Sequence, residues 1–506
     1  MAMIKVDNLT FGYEGSYDNV FENVSFQIDT NWKLGLIGRN GKGKSTFLQL
    51  LMEQNDDICR PEYRYSGTIT GDTCYQYFPV DIPVRQWQNP VIELMEQEFP
   101  DNELWKVIRE LEYLSMEADI LYRTFGSLSF GERTRVMLAY LFSNENNFLL
   151  LDEPTNHLDM ETRETVIRYL KRKQGFILVS HERDFLDSCV DHILAINRNS
   201  ITVTKGNFTA WWENKEKQDS FELARNADLR KDIKRLETAA RQSKEWADTV
   251  EKRKIGFNPV KEDRFIGTRS YLGEKSRRMQ QRRKNLERRQ REEIEEKRQL
   301  LQDIEQDADL KMFPLKYRSD RLLSVEKLSI KYDSDVVCRQ ISFEIHNGER
   351  ILLQGRNGCG KSSIIKAILG ETAPAEGSVT AGSGVKISYV SQDTSMLGGT
   401  LQKYASDRGI ELSLLMTVLR QLDFERVQFE KNISDYSEGQ KKKVMLAASL
   451  CEQAHLYIWD EPYNFIDVFS RMQIEKLIQR FQPTMLLVEH DKYFAENIGA
   501  KAVQIN

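Results

Sequence analysis

The stretch Gly38-Arg-Asn-Gly-Lys-Gly-Lys44-Ser45 occurs again as Gly355-Arg-Asn-Gly-Cys-Gly-Lys361-Ser362, about 310 residues further along the chain. In this pattern the glycines let backbone N–H groups approach phosphates, and the lysine reaches the β- and γ-phosphates of a nucleotide. An amphipathic segment follows each copy. Each copy therefore predicts a strand, a phosphate-binding loop and a helix.

Further motifs follow both loops in the same order. After the first loop come Leu128-Ser-Phe-Gly-Glu132, then Leu149-Leu-Leu-Asp152-Glu153-Pro-Thr-Asn-His157-Leu-Asp159, and then Ser180-His181. After the second come Tyr436-Ser-Glu-Gly-Gln440, then Tyr457-Ile-Trp-Asp460-Glu461-Pro-Tyr-Asn464-Phe-Ile-Asp467, and then Glu489-His490. The serine and the aspartate of these motifs are 23 residues apart in both copies. Two α/β domains of the same kind are therefore predicted.

The bulk composition excludes several classes of protein. The chain has 506 residues, of which 40% are hydrophobic. It has no uninterrupted apolar stretch near 18 residues, and its first residues lack the apolar region of a signal peptide, so we expect a soluble, cytoplasmic protein. Six scattered cysteines without Cys-x-x-Cys spacing argue against a disulfide framework, a zinc site or an iron–sulfur cluster.

The charge is distributed unevenly. The whole chain has a formal net charge of −5, but residues 241–290 hold 16 Lys and Arg against 7 Asp and Glu. That segment carries +9, so the remaining residues together carry −14. A local basic segment in an acidic chain indicates a nucleic-acid contact in that region.

The segment between the two repeats predicts an antiparallel helical hairpin. The expected domains are residues 1–212 and 321–506 for the two repeats and 213–320 for this linker. A first helix of about residues 213–253, roughly 60 Å long, has a heptad seam with steps of four and three. The seam consists of Leu229, Ile233, Leu236, Ala240, Ser243, Ala247 and Val250. A second helix has a thinner seam at Met279, Leu286, Ile294, Leu301 and Ile304.

Helix-breaking residues between the two seams predict the tip of the hairpin. Basic residues alternate with aromatic residues there, a combination suited to RNA, because cations meet phosphates and rings stack on exposed bases. A plain spacer with solvated helix faces is the alternative interpretation. The candidate RNA-binding residues of the tip are Lys252, Arg253, Lys254, Phe257, Asn258, Pro259, Lys261, Arg264 and Phe265.

Paired residue types in the two repeats indicate ATP hydrolysis. Ser45 and Ser362 follow the loop lysines, and their hydroxyls suit a magnesium ion. Asp152 and Asp460 each end a buried strand, where a carboxylate can hold the ligand shell of that ion. The glutamates that come next can polarise the attacking water, and the later histidines can contact the γ-phosphate. The catalytic candidates are Glu153, Glu461, His181 and His490. Tyr13 and Tyr332 lie at matching places before the loops, which favours adenine stacking over the alternative of ordinary strand packing.

The chain resembles the ABC-F family, in which two ATP-binding cassettes without transmembrane domains are joined by a charged helical linker. The phrase Asp152-Glu-Pro-Thr-Asn-His-Leu-Asp159 matches that family letter for letter, and the resemblance covers essentially the whole chain. It implies two ATP molecules held between the cassettes, each facing the signature motif of the opposite cassette. The implied nucleotide and magnesium contacts are Tyr13, Gly38, Asn40, Gly41, Gly43, Lys44, Ser45, Thr46, Ser129, Gly131, Glu132, Asp152, Tyr332, Gly355, Asn357, Gly358, Gly360, Lys361, Ser362, Ser363, Gln392, Ser437, Gly439, Gln440 and Asp460.

Several positions depart from the family pattern. Val80 replaces the glutamine that Gln392 supplies in the second cassette, and Gln76 lies on the preceding strand, where it is a poor substitute. Phe130 and Glu438 each replace a signature glycine. The second-cassette phrase from Asp460 to Asp467 resembles the antibiotic-resistance, target-protecting branch of the family more than the housekeeping translation factors.

The resemblance implies a monomeric ATPase whose linker enters the ribosome at the tRNA exit site. There it would act near P-site tRNA and rRNA of the peptidyl-transferase centre and displace a bound antibiotic. A housekeeping factor acting on stalled ribosomes is the alternative with the same fold. A transporter's ATPase subunit and a DNA-associated ATPase are alternatives from other classes, and the lack of apolar spans and the basic hairpin argue against the transporter.

Overall fold

The computed structural model describes residues 3–14, 19–53, 63–144, 147–156, 158–196, 201–255, 288–289, 310–332, 335–356, 358–422, 424, 426–463, 466–489 and 491–505. Chain contacts divide the protein into two compact units. The first unit contains Met1–Trp211 together with Asp307–Asn506, and the second is Trp212–Gln306. Both repeats therefore lie in one unit.

Two sheets form the first repeat. Their strands are β1 (Met3–Tyr13), β2 (Phe21–Asp29), β3 (Lys33–Gly38), β4 (Tyr63–Thr70), β5 (Cys74–Phe78), β6 (Asn147–Asp152), β7 (Phe176–Val179), β8 (His192–Ile196) and β9 (Ile201–Lys205). The central sheet has the order β5-β6-β7-β3-β8-β9 and is parallel except for β9. An antiparallel sheet, β2-β1-β4, packs its apolar side chains into the same core.

The helices of the first repeat follow the sequence pattern. They are α1 (Lys44–Met52), α2 (Val91–Glu98), α3 (Leu104–Tyr113), α4 (Phe130–Ser143), α5 (Met160–Leu170) and α6 (Arg183–Cys189). The predicted amphipathic helix after the phosphate loop is α1, whose Phe47, Leu48 and Leu51 are fully buried. Burial of this face fixes the phosphate loop against the central sheet.

The second repeat has the same arrangement. Its strands are β10 (Phe313–Pro314), β11 (Arg321–Tyr332), β12 (Asp335–His346), β13 (Arg350–Gln354), β14 (Glu376–Ala381), β15 (Ile387–Val390), β16 (Gln453–Ala454), β17 (Leu456–Asp460), β18 (Met485–Val488) and β19 (Lys501–Gln504). The parallel sheet β15-β17-β18-β13-β19 and the antiparallel sheet β12-β11-β14 correspond to those of the first repeat. Buried β17, whose five residues are all inaccessible, ends at Asp460 as predicted.

The helices of the second repeat are α8 (Lys361–Ile368), α9 (Leu401–Asp407), α10 (Leu412–Gln421), α11 (Glu438–Cys451), α12 (Val468–Phe481) and α13 (Lys492–Asn497). The parallel strands in both repeats end at the same edge of their sheet, where the phosphate loops also lie. The predicted α/β fold with two nucleotide-binding domains is confirmed.

The linker helix begins earlier than the sequence indicates. Helix α7 spans Phe208–Ile255, 48 residues, and starts five residues before the expected boundary. The Asn207 side chain accepts a hydrogen bond from the Ala210 N–H (3.0 Å) and so caps the first turn. Phe208 and Trp211 are buried, and the Trp211 ring centroid lies 6.1 Å from that of Phe469. The first turn of α7 is therefore packed into the unit that holds the cassettes.

In the second unit, α7 continues to Ile255, and at 1.5 Å per residue the whole helix is about 72 Å long. Ile233 is buried and Leu229 and Leu236 are partly buried, whereas Arg230, Lys231, Lys234 and Arg235 are exposed, as the heptad seam predicts. Asn226 is also buried and extends the same side of the helix. Of the predicted second helix only residues 288–289, which are helical, are described, and the turn and the tip residues from Phe257 to Phe265 lie outside the described residues, so the hairpin remains a prediction.

Candidate active sites

The glycines of both phosphate loops have the backbone conformation that the motif requires. Gly41 and Gly43 have φ of 80° and 89°, and Gly358 and Gly360 have φ of 82° and 94°. A Cβ on Gly43 would lie 2.4 Å from a methyl carbon of Val20. Only glycine fits there, since the position needs both a positive φ and close packing. Each loop ends at the N-terminus of a helix, where N–H groups and the helix dipole favour phosphate.

The loop lysines adopt the same position in both cassettes. Lys44 Nζ donates to the carbonyl of Gly38 (2.8 Å), and Lys361 Nζ donates to the carbonyl of Gly355 (2.8 Å). Burial lowers the pKa of Lys44, and the carboxylate of Asp467 in the second cassette is the largest of the charges opposing that shift. Each ammonium is thus held inside the loop where phosphates are predicted to bind.

A hydroxyl and a carboxylate meet at each predicted magnesium position. Ser45 Oγ donates to Asp152 Oδ2 (3.0 Å), and Ser362 is hydrogen-bonded to the Asp460 carboxylate. Burial raises the pKa of Asp460, and the bond from Ser362 opposes that shift. Asp460 Oδ1 is buried without a hydrogen-bond partner among the described residues.

These oxygen donors fit a magnesium ion. Mg²⁺ is usually held by one or two carboxylates together with waters and substrate phosphates. In keeping with that, the described residues contain no cluster of three or more His, Cys, Asp or Glu side chains able to hold a metal on their own. The unpartnered Asp460 oxygen would be satisfied by the ion or its waters. Ser45 with Asp152 would hold a magnesium ion in the first site, and Ser362 with Asp460 would hold one in the second.

Both candidate catalytic glutamates have a left-handed backbone. Glu153 has φ of 51° and Glu461 has φ of 47°. Their N–H groups donate to the last residues of neighbouring strands, Val179 (3.0 Å) and Val488 (2.9 Å) respectively. A non-glycine residue with positive φ is uncommon and often marks a functional site. The same strained geometry occurs at the equivalent position of each cassette, directly after the strand that ends at the candidate magnesium aspartate.

In the first cassette, Glu153 lies beside the predicted histidine. His181 Nε2 is 3.3 Å from Glu153 Oε1. Burial, assisted by the Asp152 charge, raises the pKa of Glu153 to about 8. Burial together with the Lys44 ammonium lowers the pKa of His181 well below its ordinary value. Glu153 Oε1 has no hydrogen-bond partner among the described residues, so the two side chains are close neighbours and not a hydrogen-bonded pair.

The second cassette has a contact that the first cannot make. Gln392 Nε2 donates to Glu461 Oε2 (2.9 Å). β5 pairs with β6, and β15 with β17, in matching register, and Val80 and Gln392 both lie two residues beyond the strand end. Gln76 lies within β5, and its Oε1 is buried without a described hydrogen-bond partner. Val80 therefore occupies the glutamine position, and an apolar side chain cannot replace this bond.

The described residues of the second site surround a cavity of about 290 Å³. It is lined by Val337, Gly358, Gly360, Lys361, Ser362, Ser363, Gln392 and Glu461. All but Val337 come from the sequence prediction. The loop, the glutamine and the glutamate are thus brought together around one space, as nucleotide binding requires.

The signature residues have a structural role that the sequence analysis did not identify. Ser129 caps α4 and Ser437 caps α11, each in a complete capping box. Glu132 Oε2 accepts from the Ser129 N–H (2.7 Å), and Gln440 Oε1 accepts from the Ser437 N–H (3.0 Å). The pattern Ser-x-x-Glu/Gln, present in both copies of the sequence, is the signature of such a capping box. Nucleotide contact by these residues, and by Gly131 and Gly439 in the first helical turns, stays a prediction.

Several predicted residues are only partly accounted for. The Tyr13 hydroxyl is hydrogen-bonded to Thr46 Oγ1 (2.7 Å), and the ring, which is 41% exposed, packs edge-on against Phe11 and Tyr63, so adenine stacking stays a prediction. Tyr332 ends β11. Asn40 Oδ1 accepts from Lys44 Nζ at 3.4 Å, within the loop itself. Asn357 and His490 lie outside the described residues.

Two further groups near the first magnesium position were missed. Tyr77 Oη donates to Asp152 Oδ2 (2.8 Å) from the adjacent strand. Asp467, in the second cassette, bonds Lys443 Nζ (3.4 Å) and caps α12 through the Ser470 N–H (2.9 Å). Burial alone would raise the pKa of Asp467, but the Lys443 ammonium and the Ser470 bond outweigh it and lower the pKa to about 2. This carboxylate therefore stays charged.

Residues of each cassette reach the site of the other. Asp467 and Lys443 of the second cassette both act electrostatically on Lys44 and His181 of the first. In the opposite direction, Arg356 of the second phosphate loop pairs with Glu161 of the first cassette (Nη2–Oε2, 2.9 Å). Reciprocal contacts of this kind favour a pair of sites whose occupancy depends on both cassettes.

The fold and these sites define an ATPase with two phosphate-loop cassettes in one chain. A family model described as ABC transporter matches residues 21–156 and 338–464, slightly more than half of the sequence. The chain belongs to this family and is an ATP hydrolase. Domains of this family in general bind ATP with Mg²⁺. None of the described helices is both long enough and apolar enough to cross a membrane.

Relatives of the ABC-F type align with nearly the entire chain. The ATP-binding protein Uup of Buchnera aphidicola is 27% identical over 99% of this chain and 80% of its own length. The ribosome protection protein VmlR of Bacillus subtilis is 27% identical over 96% of this chain and 83% of its own length. A crystal structure of the archaeal ribosome recycling factor aABCE1, in complex with the stalk protein aP1, has a similar fold. Its TM-score is 0.59 at 18% identity, covering 96% of this chain and 84% of that one.

Proposed function

We propose that the protein is a ribosome-binding ATPase that protects the ribosome from antibiotics. The observation that carries the proposal is the alignment of the ribosome protection protein VmlR with 96% of this chain, a span that includes both cassettes and the linker. The altered second-cassette phrase from Asp460 to Asp467, which resembles the resistance branch, supports the same choice.

In this proposal the two cassettes of one monomer close on two ATP molecules. Lys44 and Lys361 hold the phosphates, and magnesium, which Ser45 with Asp152 and Ser362 with Asp460 would hold, would supply neutralisation of phosphate charge. Glu153 and Glu461 orient the attacking water, and hydrolysis lets the cassettes separate. The charges of Asp467 and Lys443 of the second cassette, which act on buried Lys44 and His181 of the first, support a cycle in which closure and nucleotide binding depend on each other.

The linker is the part proposed to contact RNA. Helix α7 reaches Ile255 and includes Lys252, Arg253 and Lys254, and the net charge of residues 241–290 is +9. Such charges attract phosphates without reading sequence, and the expected tip residue Phe257 could stack on a base. We propose that the linker enters the tRNA exit site, shifts the P-site tRNA and dislodges a drug from the peptidyl-transferase centre.

A housekeeping role on stalled ribosomes is the second candidate. The identity to the ATP-binding protein Uup, 27% over 99% of this chain, equals the identity to VmlR, so identity alone does not favour the antibiotic-protection role. Deleting the gene distinguishes the two candidates, because a housekeeping factor predicts a growth or stalling defect without a change in drug tolerance.

Drug tolerance of a susceptible host tests the proposal. The intact chain is expressed beside an empty vector and a Lys44→Ala, Lys361→Ala variant that should not bind ATP. We expect the inhibitory concentrations of pleuromutilin, lincosamide or streptogramin A compounds to rise only in the host that expresses the intact chain. No rise for any of these drugs would defeat the antibiotic-protection proposal.

A further inference from the structure

Lys442 is a buried lysine to which the sequence analysis gave no role. It lies in α11, the helix that the signature serine Ser437 caps, and only 2% of it is exposed. Its Nζ donates to the carbonyl of Ser391 (2.8 Å) and to the carbonyl of Asp460 (2.9 Å). Burying an ammonium costs several kcal/mol unless it is well paired. A lysine kept at such a position therefore needs these two acceptors.

The two carbonyls belong to the second ATP site. Ser391 directly precedes Gln392, and Asp460 carries the candidate magnesium carboxylate and directly precedes Glu461. Gln392 is itself hydrogen-bonded to Glu461 (2.9 Å). The Lys442 side chain thus connects the backbone next to Gln392 with the backbone next to Glu461. It holds the carboxyl ends of the neighbouring parallel strands β15 and β17 at a fixed separation.

The described residues of the first cassette show no equivalent of this connection. Thr134 occupies the position of Lys442, because each lies five residues after the capping serine of its helix, Ser129 or Ser437. A threonine hydroxyl lies on Cβ and cannot reach as far as a lysine Nζ. The first cassette also has Val80 in place of Gln392. The lysine and the glutamine therefore occur together, in the cassette where a glutamine has to be positioned against a glutamate.

We propose that Lys442 is a positioning residue for ATP hydrolysis at the second site. It fixes the loop that bears Gln392 to the strand end that bears Asp460 and Glu461, and it ties both to the signature helix α11. The neighbouring Lys443 of the same helix acts electrostatically on Lys44 and His181, so α11 is in electrostatic reach of the first site as well. The inference concerns the ATPase reaction and does not depend on ribosome binding.

The test uses purified full-length protein without ribosomes. Lys442→Met removes the donors at similar length, and Lys442→Arg keeps charge and donors. Lys441→Met, on the partly exposed neighbouring position, is the matched control for charge loss. Each change is made in a Glu153→Gln background, so that the second site provides the turnover. The measurements are kcat, ATP affinity, the Mg²⁺ concentration for half-maximal rate and amide hydrogen exchange of residues 391–393.

We expect Lys442→Met to lower kcat at least tenfold with ATP affinity changed less than threefold, to raise the Mg²⁺ requirement and to speed exchange at residues 391–393. Lys442→Arg should restore most of the rate, and Lys441→Met should match the parent. Unchanged kcat in Lys442→Met, or a loss that only follows lost ATP affinity, would overturn the assignment. If that variant does not fold, Lys442→Gln, which can bond one carbonyl, is judged by the same criteria.

Discussion

The two ATP sites should contribute unequally to turnover, and the structure indicates by how much. Gln392 donates to the Glu461 carboxylate at 2.9 Å, whereas Val80 leaves Glu153 without that bond. A hydrogen bond to a charged group stabilises by about 1.5–3 kcal/mol. At 1.36 kcal/mol per factor of ten, that difference corresponds to roughly 10–150-fold in rate if the bond persists in the transition state.

Single replacements test this inequality. Glu461→Gln should reduce steady-state phosphate release at saturating ATP much more than Glu153→Gln does. Gln392→Val should bring the second site close to the rate of the first. Adding Val80→Gln to the Glu461→Gln variant should recover part of the lost turnover. Equal losses in the two glutamate variants, or the reverse order, would refute the functional interpretation of Val80.

Three further predictions concern two buried side chains of the cassettes and the expected tip of the linker. Burial and the neighbouring Asp491 raise the pKa of Asp184 to about 6, so its ionisation weakens the fold as pH rises from about 4 to 6. With a discount for partial exposure, Asp184→Asn should add about 1–2 kcal/mol to the free energy of unfolding at pH 7.5 and nothing at pH 4. Thermal unfolding at both pH values checks this. Phe469→Ala should lower the thermal unfolding midpoint more than the control Phe481→Ala on the same helix, because Phe469 is only 9% exposed whereas Phe481 is partly buried. Replacing a buried Phe by Ala costs about 3–5 kcal/mol of stability. Equal shifts of the midpoint in the two variants would contradict this. Phe257→Ala should leave ATPase activity intact while reducing drug protection, and a loss of both would count against a role at the tip.

Short motifs with fixed chemistry were the most predictable part of the molecule. The phosphate loops, the strand-ending aspartates and the following glutamates lie where their spacing indicates, since each depends on local backbone geometry beside a buried strand. The repeat itself gave a second copy for comparison, and so the Val80 difference could be identified from sequence and then placed by strand register.

Contacts between distant segments could not be read in the same way. The Lys442 bonds join residues 51 and 18 positions away, and the Arg356–Glu161 pair joins residues 195 apart. No local pattern distinguishes these side chains from solvated charges. The start of α7 was placed five residues late, because a cap at Asn207 and burial of Phe208 and Trp211 matter more there than the charged composition that follows.

Ribosome cosedimentation of the Glu153→Gln, Glu461→Gln double variant tests the central claim most directly. With ATP present, slow hydrolysis should keep the cassettes closed, so the variant should bind ATP and sediment with ribosomes in a salt-sensitive manner. It should not do so with ADP. An ATP-bound double variant that stays in the supernatant at low salt would contradict the account.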